Sequence, residues 1–129
     1  MTLLDTDIII DILRKYPPAI AWLKSLDDEE IILPGFVVME LIQGCRNKTE
    51  QEKVQKTLTA YGMTWPSTTT CDEALAIFTH FHLSHSLGLL DALIGESAVA
   101  LNLPLHTFNQ KHYAAIPGLT TVQPYAKGV

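Results

Sequence analysis

The sequence predicts an α/β fold in which a central, mostly parallel sheet is flanked by helices. Short apolar stretches typical of buried strands alternate along the chain with longer stretches of helical character. Such alternation favours parallel strands that are joined by helices. The 129 residues and the 47% hydrophobic composition are typical of one globular domain, so we expect residues 1–129 to form a single domain.

The first half of the chain predicts two strands and four helices. They are a strand at Met1–Asp5, helices at Ile8–Lys15 and Ala19–Leu26, a strand at Ile31–Leu33, and helices at Phe36–Cys45 and Glu50–Tyr61. Prolines mark the boundaries, because proline lacks the backbone amide hydrogen that the interior of a helix or an inner strand needs for its hydrogen bonds. We therefore expect Pro17-Pro18 to close the first helix and Pro34-Gly35 to break the second strand.

The second half predicts three further strands and two helices. They are a strand at Met63–Trp65, helices at Cys71–His82 and Asp91–Leu101, and strands at Leu103–His106 and Leu119–Val122. Asp72 and Glu73 suit the first turn of their helix, because carboxylates there interact favourably with the helix dipole. The complete pattern predicts five strands, with helices in most of the connections between them.

Charge and composition restrict the class of protein. The formal net charge is −5, which disfavours a broad phosphate-binding surface, but four of the nine basic residues fall within positions 46–56. That stretch either guides a nucleic acid or forms a solvated helix face. No apolar run approaches the roughly 20 residues of a membrane span, and the N-terminus has acids where a signal peptide is basic. We expect a cytoplasmic protein that makes no membrane contact.

Polar side chains lie near the ends of predicted strands or in helices that leave them. Asp5 follows an apolar strand directly, Glu40 interrupts an apolar helix that leaves the next strand, and Asn109 comes just after a later strand. Asp91 follows the apolar pair Leu89-Leu90. Because the carboxyl ends of parallel strands lie at one edge of a sheet, these four side chains could converge there.

Clustered carboxylates favour a divalent cation, because several negative charges in one place resist ionisation without one. Oxygen donors without a cysteine or histidine set indicate Mg²⁺ or Mn²⁺. Such an ion activates water and stabilises charge on a phosphate oxygen, which suits phosphodiester hydrolysis. The spacing alone leaves a second interpretation open, in which Asp5 and Asp91 cap helices and Glu40 pairs with a lysine or arginine.

Four segments resemble the signature motifs of PIN domains. Leu3–Ile8 (LLDTDI) is similar to the LLDTN opening, Val38–Gly44 (VMELIQG) to the ELxxG helix, Leu90–Ala98 (LDALIGESA) to DALIAATA, and Leu103–Tyr113 (LPLHTFNQKHY) to LPLxTxNxxHF. The four motifs occur in the order of the family, and the resemblance extends over about residues 1–125. Each motif is weak by itself, whereas the ordered set is specific.

The resemblance implies a PIN-like three-layer fold and cleavage of single-stranded RNA with Mg²⁺ or Mn²⁺. It implies that Asp5, Glu40 and Asp91 are metal ligands and that Asn109 completes the catalytic set. Among small bacterial PIN proteins it further implies a VapC-like toxin. Such a toxin is usually a homodimer and is silenced by a cognate VapB-like antitoxin.

Two positions at the candidate site depart from the family pattern, as does Pro34-Gly35 before the helix that carries Glu40. Many relatives have an acid where this chain has Asn109, and many have asparagine where it has Asp7, so Asp7 could partly restore the missing carboxylate. Two other functions therefore stay open. One is a degenerate PIN domain that binds RNA or protein without cleaving, and the other is a nuclease of RNA processing.

Several neighbouring residues have more than one interpretation. Thr6 and Thr107 either hydrogen-bond the carboxylates or the phosphate, or are ordinary hydroxyls near strand ends. We expect Asp11 to be solvated or paired with Lys15, because the two are four residues apart on a helix. We expect Tyr113 to be a core aromatic residue.

Overall fold

A five-stranded parallel sheet forms the centre of the computed structural model, which describes residues 1–127. The strands are β1 (Thr2–Leu4), β2 (Ile31–Pro34), β3 (Gly62–Thr64), β4 (Leu105–His106) and β5 (Thr121–Val122). Their spatial order is β3-β2-β1-β4-β5, and each neighbouring pair is parallel. The predicted α/β fold with a mostly parallel sheet is therefore confirmed.

Helices occupy the connections between the strands, as right-handed parallel crossovers require. The described residues form α1 (Thr6–Leu13), α2 (Pro17–Ser25), α3 (Gly35–Gln43), α4 (Lys48–Leu58), α5 (Thr68–His85), α6 (Leu89–Leu101) and α7 (Gln110–Tyr113). Because all strands run the same way, their carboxyl ends lie at one edge of the sheet. We call this the carboxyl edge.

Strand β1 lies in the middle of the sheet and of the core. Leu3 pairs with Ile32 on one side and with Leu105 on the other. Successive strand residues point to opposite faces, yet Leu3 and Leu4 are both 0% exposed. Helices therefore cover both faces of the sheet, which gives the three layers expected from the resemblance.

Several element boundaries differ from the predicted ones. Pro17 and Pro18 do not follow α1 as a stop but form the first turn of α2, where the missing amide hydrogen is not needed. Pro34 is the last residue of β2, and Gly35 begins α3 directly. The short helix α7 was not predicted, because four residues carry too little periodicity.

Helix α5 is longer than predicted at both ends. It begins at Thr68 because Ser67 accepts a hydrogen bond from the Thr70 amide, and it extends to His85 before Ser86 adopts a left-handed conformation. Across residues 1–127, α5 included, none of the helices has both the length and the apolar surface needed to span a lipid bilayer.

Truncation of Leu105 tests how much the sheet depends on its shortest strands. Leu105 is 0% exposed and lies between β1 and β5 in a strand of two residues. We expect Leu105→Ala to lower the free energy of unfolding by about 2–5 kcal/mol, because a cavity replaces a fully packed side chain. Urea unfolding measures the change.

The matched control is Leu83→Ala, at a helix position that is 87% exposed. Its effect should stay within about 0.5 kcal/mol. Equal losses in the two variants would mean that Leu105 does not belong to the core.

Candidate functional site

The carboxyl edge brings Asp5 and Thr107 together from neighbouring strands. Asp5 directly follows β1, and Thr107 directly follows β4. The Asp5 amide donates a hydrogen bond to the His106 carbonyl at 3.0 Å, which continues the β1–β4 pairing by one residue. The strand register thus fixes the two side chains beside each other.

Asp5 is a buried carboxylate whose two oxygens both accept hydrogen bonds. Oδ1 accepts from the Thr6 amide at 2.8 Å, which makes Asp5 the N-cap of α1. Oδ2 accepts from the hydroxyls of Thr107 and Tyr113, each at 2.9 Å. Asp5 is only 4% exposed, so these three donors compensate for the water that burial removes.

Asp7 lies two residues after Asp5, in the first turn of α1, and faces the loop after β4. Its Oδ2 accepts from the Phe108 amide at 2.8 Å and lies 3.5 Å from the Thr107 hydroxyl. Its Oδ1 accepts from the Ile8 amide at 2.9 Å. The backbone after β4 therefore acts as a donor to the second acid of the motif.

Glu40 reaches the site from the middle of α3. Its Oε1 accepts a hydrogen bond from the Thr6 hydroxyl at 3.3 Å, so α3 and α1 meet at this carboxylate. Among residues 1–127, no lysine or arginine forms an ion pair with Glu40. The alternative in which a cationic side chain neutralises Glu40 is wrong for the described part of the chain.

Asp91 approaches from the first turn of α6. Leu89 and Leu90 begin this helix, which was expected to begin at Asp91 and which follows α5, so Asp91 lies neither at a strand end nor in a helix that leaves a strand. Its Oδ2 accepts from the Gly88 amide at 3.1 Å. A Cβ atom on Gly88 would lie 2.7 Å from that oxygen, so any other residue there would require the Asp91 carboxylate to shift.

Asn109 lies in the loop between β4 and α7 and is exposed. Its amide donates to the Thr107 hydroxyl at 3.0 Å, and its side chain makes no capping hydrogen bond. Thr107 therefore links the Asn109 backbone to Asp5. The Asn109 side chain is the candidate ligand that is least constrained by its surroundings.

The carboxylates at this edge disfavour one another's ionised forms. Burial, followed by repulsion from Asp7, raises the pKa of Asp5 above its ordinary value. Burial raises the pKa of Asp7. Burial raises the pKa of Glu40 as well, with added repulsion from Asp5, Asp91 and Asp7. The site thus combines acids from α1, α3 and α6 that a nearby positive charge would stabilise.

The donor chemistry fits a hard divalent cation, since every candidate ligand offers a carboxylate or amide oxygen. Over residues 1–127, no three His, Cys, Asp or Glu side chains are arranged to hold an ion together. Glu40 and Asp91 instead accept hydrogen bonds from Thr6 and Gly88. Each of these bonds occupies one carboxylate oxygen, Oε1 of Glu40 and Oδ2 of Asp91, so an ion shared by the acids requires the side chains to approach one another but not to leave those donors.

Two residues have roles that the sequence alone did not assign. Tyr113 is buried as expected of a core aromatic residue, but its hydroxyl also donates to Asp5. Asp11 is not solvated and does not pair with Lys15. It is 8% exposed, and its Oδ2 accepts from the Tyr125 hydroxyl at 2.7 Å and from Lys127 Nζ at 3.1 Å. A contact across more than 100 residues leaves no local sequence signal.

A groove of about 620 Å³ extends from the site between α1, α3 and α4. Thr6 and Glu40 line it where it meets the site, which we call its acidic end, and a second acid, Glu50, also belongs to the lining. Its apolar lining comprises Ile10, Leu13, Leu41 and Val54, and its basic lining comprises Arg14, Lys53 and Lys56. The basic stretch of the sequence therefore borders a groove that leads to the candidate site.

An all-parallel sheet with helices on both faces and acids at its carboxyl edge defines an α/β protein whose candidate site lies where ligands bind in open sheets. A family model described as the PIN domain matches residues 2–117, and the chain belongs to that family. PIN domains are generally nucleases and typically use divalent metals. A comparison with curated protein sequences gave no match.

Solved structures with the same fold include several toxin–antitoxin complexes. A chain of a toxin–antitoxin complex from Klebsiella pneumoniae is 26% identical, with a TM-score of 0.76 and coverage of 97% of this chain and 98% of that one. A chain of VapBC2 from Rickettsia felis, bound to a promoter DNA fragment, is 24% identical, with a TM-score of 0.77 and coverage of 94% and 96%. FitAcB from Neisseria gonorrhoeae is 22% identical, with a TM-score of 0.75 and coverage of 96% and 98%.

Glu40→Gln tests the electrostatic account, because glutamine keeps the shape and the acceptor for Thr6 but removes the charge. The pKa of Glu40 is raised, so the folded state binds its proton more tightly than the unfolded chain does. The resulting stabilisation is present below the ordinary glutamate pKa of about 4.3 and is lost as pH rises through the folded value. In EDTA, we expect Glu40→Gln to be more stable than wild type at pH 7, with a smaller advantage at low pH.

Thermal unfolding across this pH range, with EDTA and with excess Mn²⁺, measures both effects. Metal that binds only the folded state stabilises it by roughly 2.7 kcal/mol at a hundredfold excess over the dissociation constant. Glu40→Gln should lose most of that gain. A variant that is less stable than wild type in EDTA and still gains fully from Mn²⁺ would refute the assignment of Glu40.

Proposed function

We propose that the protein is an Mg²⁺- or Mn²⁺-dependent endoribonuclease and the toxic component of a type II toxin–antitoxin pair. The observation that carries this proposal is the meeting of Asp5, Glu40 and Asp91 within electrostatic range of one another at the carboxyl edge. Membership of the PIN family supports a nuclease. The toxin–antitoxin structures with the same fold support the biological role.

In this proposal Asp5, Glu40 and Asp91 would hold the metal, and the chemistry that it would supply is activation of water and stabilisation of charge on the phosphate. Thr107 and Tyr113 keep the Asp5 carboxylate oriented through their hydroxyl groups. Asn109 is exposed at the same edge and contributes an amide oxygen or orients a water. Hydrolysis then replaces one phosphodiester bond of RNA by a phosphate and a free hydroxyl group.

The groove supplies a path for the RNA strand. Lys53 and Lys56 line it, and Glu40 lies at its end, so phosphates bound along the groove would lead into the acidic site. Arg46, in contrast, pairs with Glu50 on the exposed surface of α4 at 3.2 Å. The two lysines are therefore the better candidates for phosphate contacts within the basic stretch.

Asp5→Asn tests the chemistry with little change in packing. Asparagine keeps an oxygen for the Thr6 amide but removes the charge that a metal requires, so we expect RNA cleavage to fall at least about a hundredfold, the scale of a lost catalytic group. Cleavage by wild type should stop in EDTA and return with Mn²⁺. Gel analysis of a single-stranded RNA measures each rate.

Asp28→Asn is the matched control, because Asp28 is exposed in the turn before β2. It should retain full activity. Cleavage by Asp5→Asn at the wild-type rate would exclude a metal role for Asp5. A wild-type protein that neither cleaves RNA nor binds Mn²⁺ would favour the degenerate PIN domain, for which Asn109 in place of an acid is the supporting feature.

We also propose two protein partners. A VapB-like antitoxin would lay an apolar segment along the groove and direct a basic side chain into the acidic end, where arginine suits carboxylates. Exposed apolar side chains such as Met39, Trp65 and Leu75 offer area for a second copy of the chain. Sedimentation equilibrium would measure whether the protein is a homodimer.

Leu13→Lys tests whether the groove receives the antitoxin. Leu13 lines the groove at a distance along α1 from Asp5, so a lysine there should repel a basic partner without removing a ligand. We expect wild type to arrest growth when expressed alone and to be tolerated with the antitoxin from the adjacent reading frame. Leu13→Lys should arrest growth in both cases, with binding weakened at least about tenfold, or 1.4 kcal/mol.

The control is Leu83→Lys, which places the same charge on an exposed face of α5. It should remain neutralised by the antitoxin. Unimpaired growth with abundant folded wild-type protein would count against a toxin, and full neutralisation of Leu13→Lys would place the antitoxin elsewhere.

A further inference from the structure

The last described residues fold back onto the carboxyl edge. We call residues 123–127 the C-terminal strap. Its Tyr125 hydroxyl donates to Asp11 Oδ2 at 2.7 Å, and Lys127 Nζ lies 3.1 Å from the same oxygen. The Tyr125 ring also lies 6.1 Å from Trp22 and 6.3 Å from Tyr16, centroid to centroid. The strap is thus fastened to α1 and α2, whereas chain ends without such contacts are usually poorly ordered.

The strap also holds Phe108 from two directions. Tyr125 contacts the Phe108 ring edge to face, with centroids 4.9 Å apart. Lys127 Nζ lies 4.6 Å from the Phe108 ring centroid, within the range of a cation–π interaction. Phe108 is the residue whose amide donates to Asp7, and it follows Thr107, which donates to Asp5.

One helix connects the strap with the acids of the site. Asp7 and Asp11 are four residues apart in α1 and therefore lie on the same face. Asp11 receives the strap, and Asp7 receives the loop that the strap holds. Asp11 and Asp7 cannot move independently, because the same rigid helix carries both.

We propose that Tyr125 and Lys127 are positioning residues that act through Phe108 to keep the Phe108 amide on Asp7 and Thr107 on Asp5. Neither residue is placed among the metal ligands. Their effect on metal binding rests on the proposed function, whereas their effect on the loop does not. The strap thereby holds the carboxylate oxygens of Asp5 and Asp7 in place before an ion binds. Ion binding then requires less ordering of these side chains.

The experiment compares Tyr125→Phe and Tyr125→Ala with wild type. The phenylalanine variant removes only the hydrogen bond to Asp11, and the alanine variant also removes the ring against Phe108. We expect hydrogen exchange of the Phe108 amide in metal-free protein to accelerate roughly tenfold in Tyr125→Phe, since hydrogen bonds to charged groups are among the stronger ones, and further in Tyr125→Ala. Mn²⁺ binding, measured by calorimetry, should weaken in the same order.

Tyr61→Phe is the matched control. Tyr61 directly precedes β3 and so lies at the opposite edge of the sheet from the site. It should leave both the Phe108 amide and Mn²⁺ affinity unchanged, even if thermal stability falls. A loss of stability in the Tyr125 variants without any change at Phe108 or in Mn²⁺ affinity would reduce the strap to ordinary packing and overturn the proposal.

Lys127→Met distinguishes a positioning role of Lys127 from a purely electrostatic one. Removing a cation near the acids should by itself tighten Mn²⁺ binding, whereas loosening the loop should weaken it and accelerate exchange at Phe108. We expect acceleration at Phe108. Tighter Mn²⁺ binding with unchanged exchange would show that Lys127 acts only as a charge and would overturn its positioning role. A wild-type protein that fails to bind Mn²⁺ would refute the proposed function, while the exchange measurements would still decide the role of the strap.

Discussion

The burial of one carboxylate at the end of the central strand organises the whole carboxyl edge. Asp5 is 4% exposed and depends on three donors from three places in the chain, the Thr6 amide, the Thr107 hydroxyl and the Tyr113 hydroxyl. An ionised carboxylate without such donors would cost several kcal/mol in this environment. The pairing of β1 with β4, the first turn of α1 and the placement of α7 must therefore all be correct before Asp5 can be buried.

The burial of Asp5 also explains why the acids at the carboxyl edge repel one another in the folded protein. Hydrogen bonds stabilise the ionised form of Asp5 but do not supply positive charge, and the pKa values of Asp5, Asp7 and Glu40 are all raised. A site of this kind gains more from a bound cation than a salt-bridged site would. The clustering of these acids is thus better explained by cation binding than by a contribution to folding stability, since the folded chain alone gains nothing from placing them together.

The sequence predicted the parallel sheet and most helices because alternating apolar segments carry local periodicity, as in β1 and α3. It also indicated that Asp5, Glu40 and Asp91 would approach one another. It could not indicate that the Gly88 amide donates to Asp91, nor that Tyr113 and Thr107 share one Asp5 oxygen. Those contacts depend on the packing of distant segments, which the local sequence pattern does not predict.

The long separation of these partners has a consequence for synthesis on the ribosome. Thr107 and Tyr113 reach Asp5 across 102 and 108 residues, and Tyr125 reaches Asp11 across 114. A nascent chain that has not yet released β4 from the exit tunnel has neither the central strand pair nor the donors for Asp5. A chain of this topology remains incomplete at its acidic edge until β4 and the segment up to Tyr125 have left the exit tunnel. If the protein is the ribonuclease proposed above, it would thereby stay inactive beside the message and the ribosome until those segments emerge.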